Sequence, residues 1–262
     1  MRVANSQLEH SDFRPSVEFV PRARSVSRYP ALNRRGESDF ESLEQVGEMA
    51  WKMHDQPDAG LWEFRTRQEV HTYSVLMSWA ACGRIATVAQ RLGMAEKADF
   101  WRDRAATIRT KIEEQAWNEE GQHYASALGG SHLDASLLQM IDLGFLQPED
   151  KRFQKTFAAI EKGLRRGEHM LRYDAEDDFG LPETAFNICT FWLMEALHLA
   201  GREEEARNLF ETMLSHRTKS GLLSEDLDFN NGELWGNFPQ TYSLVGIINC
   251  ATLLSKPWSV IR

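Results

Sequence analysis

The run "TAFNICTFWLMEALHLAGREEEARNLFETMLSH" constrains the fold more than any other part of the chain. Its first half, residues 184–200, is apolar on nearly every side at helical spacing, as expected of a helix packed on both faces. Its second half, 202–216, gathers Ala206, Leu209, Phe210, Met213 and Leu214 on one face and leaves the other polar. Gly201 stands between them as a helix stop. The pattern is met earlier too: "YSVLMSWAACGRIATVAQRLG" (73–93) is apolar nearly all round and ends on Gly93, and over 96–117 Trp101, Ala105, Ile108 and Ile112 share one face. Buried helices therefore alternate with half-exposed ones. No convincing series of alternating strands competes with this pattern. The reading is an all-α fold of stacked helical hairpins in inner and outer layers, closed into a toroid or left open as a solenoid.

A further amphipathic helix is expected from "SDFESLEQVGEMAWKMH", with Phe40, Leu43, Val46 and Ala50 on its buried side and Ser38 or Asp39 as cap. Residues 1–36 carry Pro15, Pro21 and Pro30 among arginines and serines and read as an irregular segment; the folded unit is expected over 37–262. A net charge of -9 argues against nucleic acid or an anionic membrane as partner, since phosphate binding needs a clustered cationic surface. The basic run "PRARSVSRYPALNRR" is read as a solvated segment. No apolar run is long enough to span a bilayer and no secretory leader is evident, so a soluble, cytoplasmic protein is expected. Cys82, Cys189 and Cys250 lie inside apolar helical patterns and read as reduced core residues. His54, His132 and His198 lack the spacing of a metal site, and no metal is expected.

Two acidic stretches stand out chemically. In "PDAGLWEFR", Pro57, Asp58 and Gly60 make a turn, and aromatic neighbours are expected to wall Glu63 in low dielectric, as suits a general acid. In "GLLSEDLDFNNGELWGNFPQTYSL", Glu225, Asp226, Asp228 and Glu233 crowd an irregular entry to a helix, which Asn237 is expected to cap with Pro239 in its first turn. Trp235 and Phe238 suit contact with the apolar face of a sugar ring. Surface loops would explain each stretch taken alone. Two carboxylates beside an aromatic pocket are also the minimum equipment for cleaving a glycosidic bond.

The ordered segments "PDAGLWEFR", "HTYSVLMSW", "DASLLQMIDLGFLQPEDKRF", "ETAFNICTFWLMEALHLAGR" and "GELWGNFPQTYSLVGIINCA" resemble the C-terminal half of glycoside hydrolase family 15, the glucoamylase-like glucosidases and trehalases, over about 38–258. The resemblance implies an (α/α)6 toroid, here an incomplete barrel, and inverting, cofactor-free hydrolysis of terminal α-linked glucose. It assigns the general acid to Glu63 and the base to Glu225, ahead of Glu233. Inversion implies a carboxyl separation of about 6.5–9.5 Å, to admit a water. Trp62, Arg65, His71, Tyr73 and Trp235 are expected to contact the sugar. At "HTYSVLMSW" many relatives carry a lysine where this chain has Val75. The family's first toroid half and its Arg-Asp glucose-binding element have no counterpart in these residues. An open barrel would expose apolar inner helices, so self-association or a second chain is expected to cover it. Two alternatives stay open: a truncated, inactive hydrolase-like module, and a helical-repeat interaction protein suggested by "LAGREEEARNLFETML", whose signature does not recur at a fixed period.

Overall fold

The computed structural model describes residues 37–177 and 180–255. The segment 1–36 lies outside them. Eight helices occupy the described residues: α1 (Glu37–Met53), α2 (Thr72–Arg91), α3 (Ala95–Gln115), the one-turn α4 (Gln139–Asp142), α5 (Lys151–Leu164), α6 (Asn187–Leu199), α7 (Glu203–Ser215) and α8 (Thr241–Leu254). A 3-10 turn, Ala135–Leu138, leads into α4. The strands are two residues each: β1 (Trp117–Asn118), β2 (His123–Tyr124), β3 (Arg165–Arg166), β4 (His169–Met170), β5 (Ala185–Phe186), β6 (Asp226–Leu227) and β7 (Leu234–Trp235). β1 pairs with β2 and β3 with β4, while β5, β6 and β7 form an antiparallel three-stranded sheet.

The expected inner and outer layers are present. Helices α2, α4, α6 and α8 share one central cavity, whereas α1, α3, α5 and α7 lie behind them. Among the described residues that makes four inner and four outer helices, against six of each in a closed (α/α)6 toroid. Ion pairs stitch the outer layer along the arc: Lys97 and Arg104 of α3 reach Glu44 and Glu48 of α1, and Arg202 and Arg165 link Glu161 of α5 to Glu205 of α7. The inner helices are closely packed. α6 buries nine of its residues, and α8 approaches it at Gly246, where a Cβ would run into the Phe191 ring. The stops at Gly93 and Gly201 take φ of +77° and +82°, the left-handed backbone that favours glycine.

Four local expectations are corrected. α1 begins at Glu37, so Ser38 and Asp39 lie within it rather than at its cap. Within the helix Phe40 and Gly47 are buried, while Leu43 and Val46 are exposed. The cause is Gly47, whose missing side chain lets Ile85 and Trp101 press against the helix and sets its rotation. α8 is capped by Gln240, whose side chain accepts from Tyr242 N, so Asn237 and Pro239 precede the helix. Lastly, α5 is a helix that the periodicity reading does not include. Its face of Phe153, Phe157, Ile160 and Leu164 is buried, and Asp150 caps it by accepting from Arg152 N at 2.7 Å.

All three cysteines are buried, and none forms a disulfide. Among the described residues no helix is long and apolar enough to cross a membrane.

Candidate active site

The loop before α2 folds back on itself to present Glu63. Asp58 and Glu69 exchange backbone hydrogen bonds at 2.8 and 3.1 Å, Asp58 Oδ1 accepts from Gly60 N at 2.6 Å, and Phe64 N donates to Ala59 O at 2.9 Å. Gly60 has φ +70°, and a Cβ there would meet His71 Nε2 at 2.8 Å, so glycine is required. Glu63 itself adopts φ +55°, a left-handed conformation that costs a non-glycine residue about 1–2 kcal/mol. Outliers of this kind cluster where a side chain must be aimed.

Trp62 anchors the loop. Its Nε1 donates to Asp134 Oδ2 at 2.7 Å, and its ring lies edge-on to Phe186 at 5.5 Å with Trp192 and Tyr173 at 6.2 and 6.0 Å. Asp134 also caps the 3-10 turn through Ser136 N at 2.8 Å, and its full burial raises its pKa. Phe64 turns away into a small cluster with Tyr173 and Ala175.

Glu225 ends the stretch before β6 and is held from three directions. Asn237 donates to Oε2 twice, from its backbone N at 3.1 Å and from Nδ2 at 2.9 Å, and Gln240 Nε2 donates to Oε1 at 3.2 Å. The Gln240 amide thus clamps the carboxylate with its nitrogen while its oxygen caps α8.

Glu63 and Glu225 line the same cavity, of about 830 Å³. Trp62 and Tyr73 join them, with Arg172, Phe186 and Trp192 forming part of the wall and Asn237 and Gln240 part of the mouth. Met77, Ile188 and Val245 continue it along the inner helices. The remaining expected contacts lie elsewhere. Arg65 is exposed outside the lining, and Trp235, 52% exposed, stands on the outer strand of the sheet. His71 is buried beneath the loop, its ring stacked on Phe64, and burial lowers its pKa, so it supports the turn as a neutral group. Val75 is fully buried in the core rather than in the cavity, and Glu233 is absent from the lining. The low-dielectric wall expected around Glu63 is also corrected: Phe64 faces the core and Glu63 is exposed. Among the described residues no three His, Cys, Asp or Glu side chains converge as metal ligands.

Sequence reasoning missed Arg172 and Asp134. Arg172 is carried into the wall by the chain after β4, which Ala135 N fixes by donating to Arg172 O at 2.8 Å. Its guanidinium lies 5.5 Å from the Phe186 ring centroid and 5.6 Å from that of Tyr173. Both residues lie near quoted motifs, but only the pairing of distant segments reveals their place.

The model of the glycosyl hydrolases family 15 matches residues 41–252. The chain belongs to this family. It is 34% identical to a trehalase of Thermoplasma volcanium over 211 residues, which is 80% of this chain and 33% of that protein. It is 34% identical to a trehalase of Mycobacterium tuberculosis over 222 residues, 79% of this chain and 32% of that one. The chain thus spans about a third of the length of these relatives. Among solved structures, a glycosidase superposes with TM-score 0.69 at 20% identity, over 80% of this chain and 58% of its own. A bacterial glucoamylase complexed with acarbose gives TM-score 0.66 at 13% identity, over 82% and 38%. At that identity the likeness concerns the fold, and it identifies the arc of inner and outer helices as part of the family 15 toroid.

Proposed function

We propose that this family 15 chain carries the acid and base of an inverting α-glucoside hydrolase, with trehalose the first substrate to try. The observation that carries this reading is that Glu63 and Glu225 line one cavity. Glu63 protonates the glycosidic oxygen as the bond to the anomeric carbon breaks. Glu225, oriented by Asn237 and Gln240, takes a proton from the water that attacks that carbon from the opposite face. No cofactor is needed for this exchange. Trehalose is favoured over maltose-like glucosides because the relatives matched along four-fifths of the chain are named trehalases. Trp62, Tyr73 and Arg172 supply the aromatic face and charged donor that a glucose ring recognises. Buried cysteines without a disulfide support a reducing, cytoplasmic setting.

A second feature concerns the ends of the arc. Val46 of α1 and Ile248 of α8 are 51% and 64% exposed, and Leu43, Met49 and Tyr242 of the same helices are exposed too. Apolar faces of this kind favour a covering polypeptide, a second copy or a separate chain, which would also withdraw Glu63 from water.

The test is sugar release followed by NMR. Inverting hydrolysis of trehalose yields β- and α-glucose in equal initial amounts, and Glu63→Gln or Glu225→Gln lowers the rate at least about 10²-fold. Retention of activity in both variants would overturn the assignment. Binding of trehalose without hydrolysis would favour an inactive sugar-binding module.

A further inference from the structure

Asp226 lies directly after the proposed base but faces a different set of groups. In the three-stranded sheet it stands opposite Phe186 of β5 and Trp235 of β7, so these three side chains share one face. Phe186 lines the cavity, and the Arg172 guanidinium rests above its ring. Asp226 is therefore within electrostatic reach of a cavity residue that it does not bond.

Two buried atoms make this arrangement unusual. Asp226 Oδ1 and Arg172 Nε are both buried without a hydrogen-bond partner. A carboxylate and a guanidinium form a strong pair when they meet, so a buried acceptor and a buried donor left unpaired in the same region favour a second arrangement in which they join. The backbone leaves room for the carboxyl to move. A Cβ on Gly236 would sit 3.4 Å from Asp226 Oδ2 and 2.9 Å from Glu225 Oε2, so the missing side chain opens space shared by both acids.

The groups around Asp226 set its charge. Burial pushes its pKa up to about 6, Arg172 opposes that rise, and Glu225 on the same stretch adds to it. The Cys189 thiol of α6, which feels both Asp226 and Arg172, is pushed well above its ordinary range by burial and stays neutral. Among the described residues Arg172 is the cation that acts on Asp226, and a single proton separates a neutral neighbour from an ionic one.

We propose that Asp226 is a positioning residue whose ionisation decides where Arg172 places its charge. Neutral Asp226 leaves the guanidinium over Phe186 and facing the cavity. Ionised Asp226 draws it off the wall into a pair. The inference rests on the reading of this cavity as the glucoside site, because Arg172 is then a sugar contact that is withdrawn as pH rises.

The experiment has two arms on the full chain. In the first, NMR follows the Asp226 carboxyl carbon and the Arg172 Nε–H from pH 4.5 to 8. Both resonances move with one midpoint near 6 in the wild type, and the Arg172 signal is flat in Asp226→Asn. An Arg172 signal that ignores the Asp226 titration would overturn the proposal. Arg172→Lys is the companion variant, and it shifts the Asp226 midpoint even where Asp226→Asn folds poorly; an unmoved midpoint counts against the coupling. In the second arm, KM for trehalose rises about tenfold across the same range with little change in kcat, and Asp226→Asn removes the rise. A rise that persists in Asp226→Asn likewise overturns it. If no glucoside is hydrolysed, the hydrolase reading fails while the NMR arm still decides the Asp226–Arg172 coupling. Hydrolysis with uncoupled resonances overturns the coupling and leaves the hydrolase reading standing.

Discussion

Trp62 Nε1 donates to Asp134 Oδ2 at 2.7 Å, tying the loop that carries Glu63 to the cap of the 3-10 turn before α4. Asp134 is wholly buried, and the indole shares the work of satisfying its carboxylate with Ser136 N. Trp62→Phe keeps the ring contacts with Phe186 and Trp192 but takes away that donor. A buried acceptor left short of a partner costs about 1–3 kcal/mol. Urea unfolding is expected to show a loss in that range for Trp62→Phe, and a smaller one when Asp134→Asn is added, since the charge is then gone. Equal losses in the single and double variants would mean that the indole matters through packing alone.

The left-handed backbone at Glu63 predicts a trade between stability and activity. Glycine adopts φ +55° freely, so Glu63→Gly is expected to gain about 1 kcal/mol in urea unfolding while losing glucose release. Glu63→Gln isolates the chemistry, because it keeps the strain and removes the acid. A Glu63→Gly variant less stable than Glu63→Gln would show that the side chain at position 63 makes contacts worth more than the strain.

Two buried histidines set the acid side of the stability profile. Burial lowers the pKa of both His71 and His169, the latter helped by His216. The unfolded chain then binds more protons than the folded one, and stability is lost as pH falls through about 6.5. Asp226 acts in the opposite sense: its raised folded pKa makes stability fall as pH rises from 3.8 towards about 6. His71→Gln and His169→Gln should each flatten the loss of urea midpoint between pH 7.5 and 5. Asp226→Asn should remove the opposing slope. An unchanged profile in both histidine variants would place the acid sensitivity elsewhere.

The helical layers are legible in the sequence because their cause is local. The apolar run 184–200 has no polar side to show to water, so it has to be an inner helix, and Gly93 and Gly201 mark turns that need positive φ. The face of α5, with Phe153, Phe157, Ile160 and Leu164 at helical spacing, is equally local, although part of it lies within a segment that stands out first as a family motif. The rotation of α1 is not local. Leu43 and Val46 fit an apolar face as well as Phe40 does, and the close approach at Gly47 that exposes them is a tertiary effect. The site divides likewise. Glu63 and Glu225 sit in motifs that mark them, but Arg172 reaches the wall only through the pairing of residues 135 and 172, which no local pattern encodes.

Gly236 offers the most direct test of how Glu225 is placed. Its φ of +76° strains any other residue, and an added Cβ would meet Glu225 Oε2 at 2.9 Å and Glu225 Cβ at 3.0 Å. Gly236→Ala is expected to cost about 1–2 kcal/mol through the backbone. It should also lower glucose release about 10²-fold, because a displacement on the order of 1 Å at a reacting group has that effect. Backbone strain alone would give the stability loss without the activity loss, so a matched control is needed. Gly232 supplies it. It lies just before β7, as Gly236 lies just after it, with φ +79°, and its added Cβ would meet only His216, at 3.3 Å. Gly232→Ala should therefore lose similar stability and keep its activity. Equal activity losses in the two variants would mean that the backbone on both sides of β7, rather than the space beside Glu225, governs the reaction. A selective loss in Gly236→Ala ties the missing side chain to the carboxylate it accommodates.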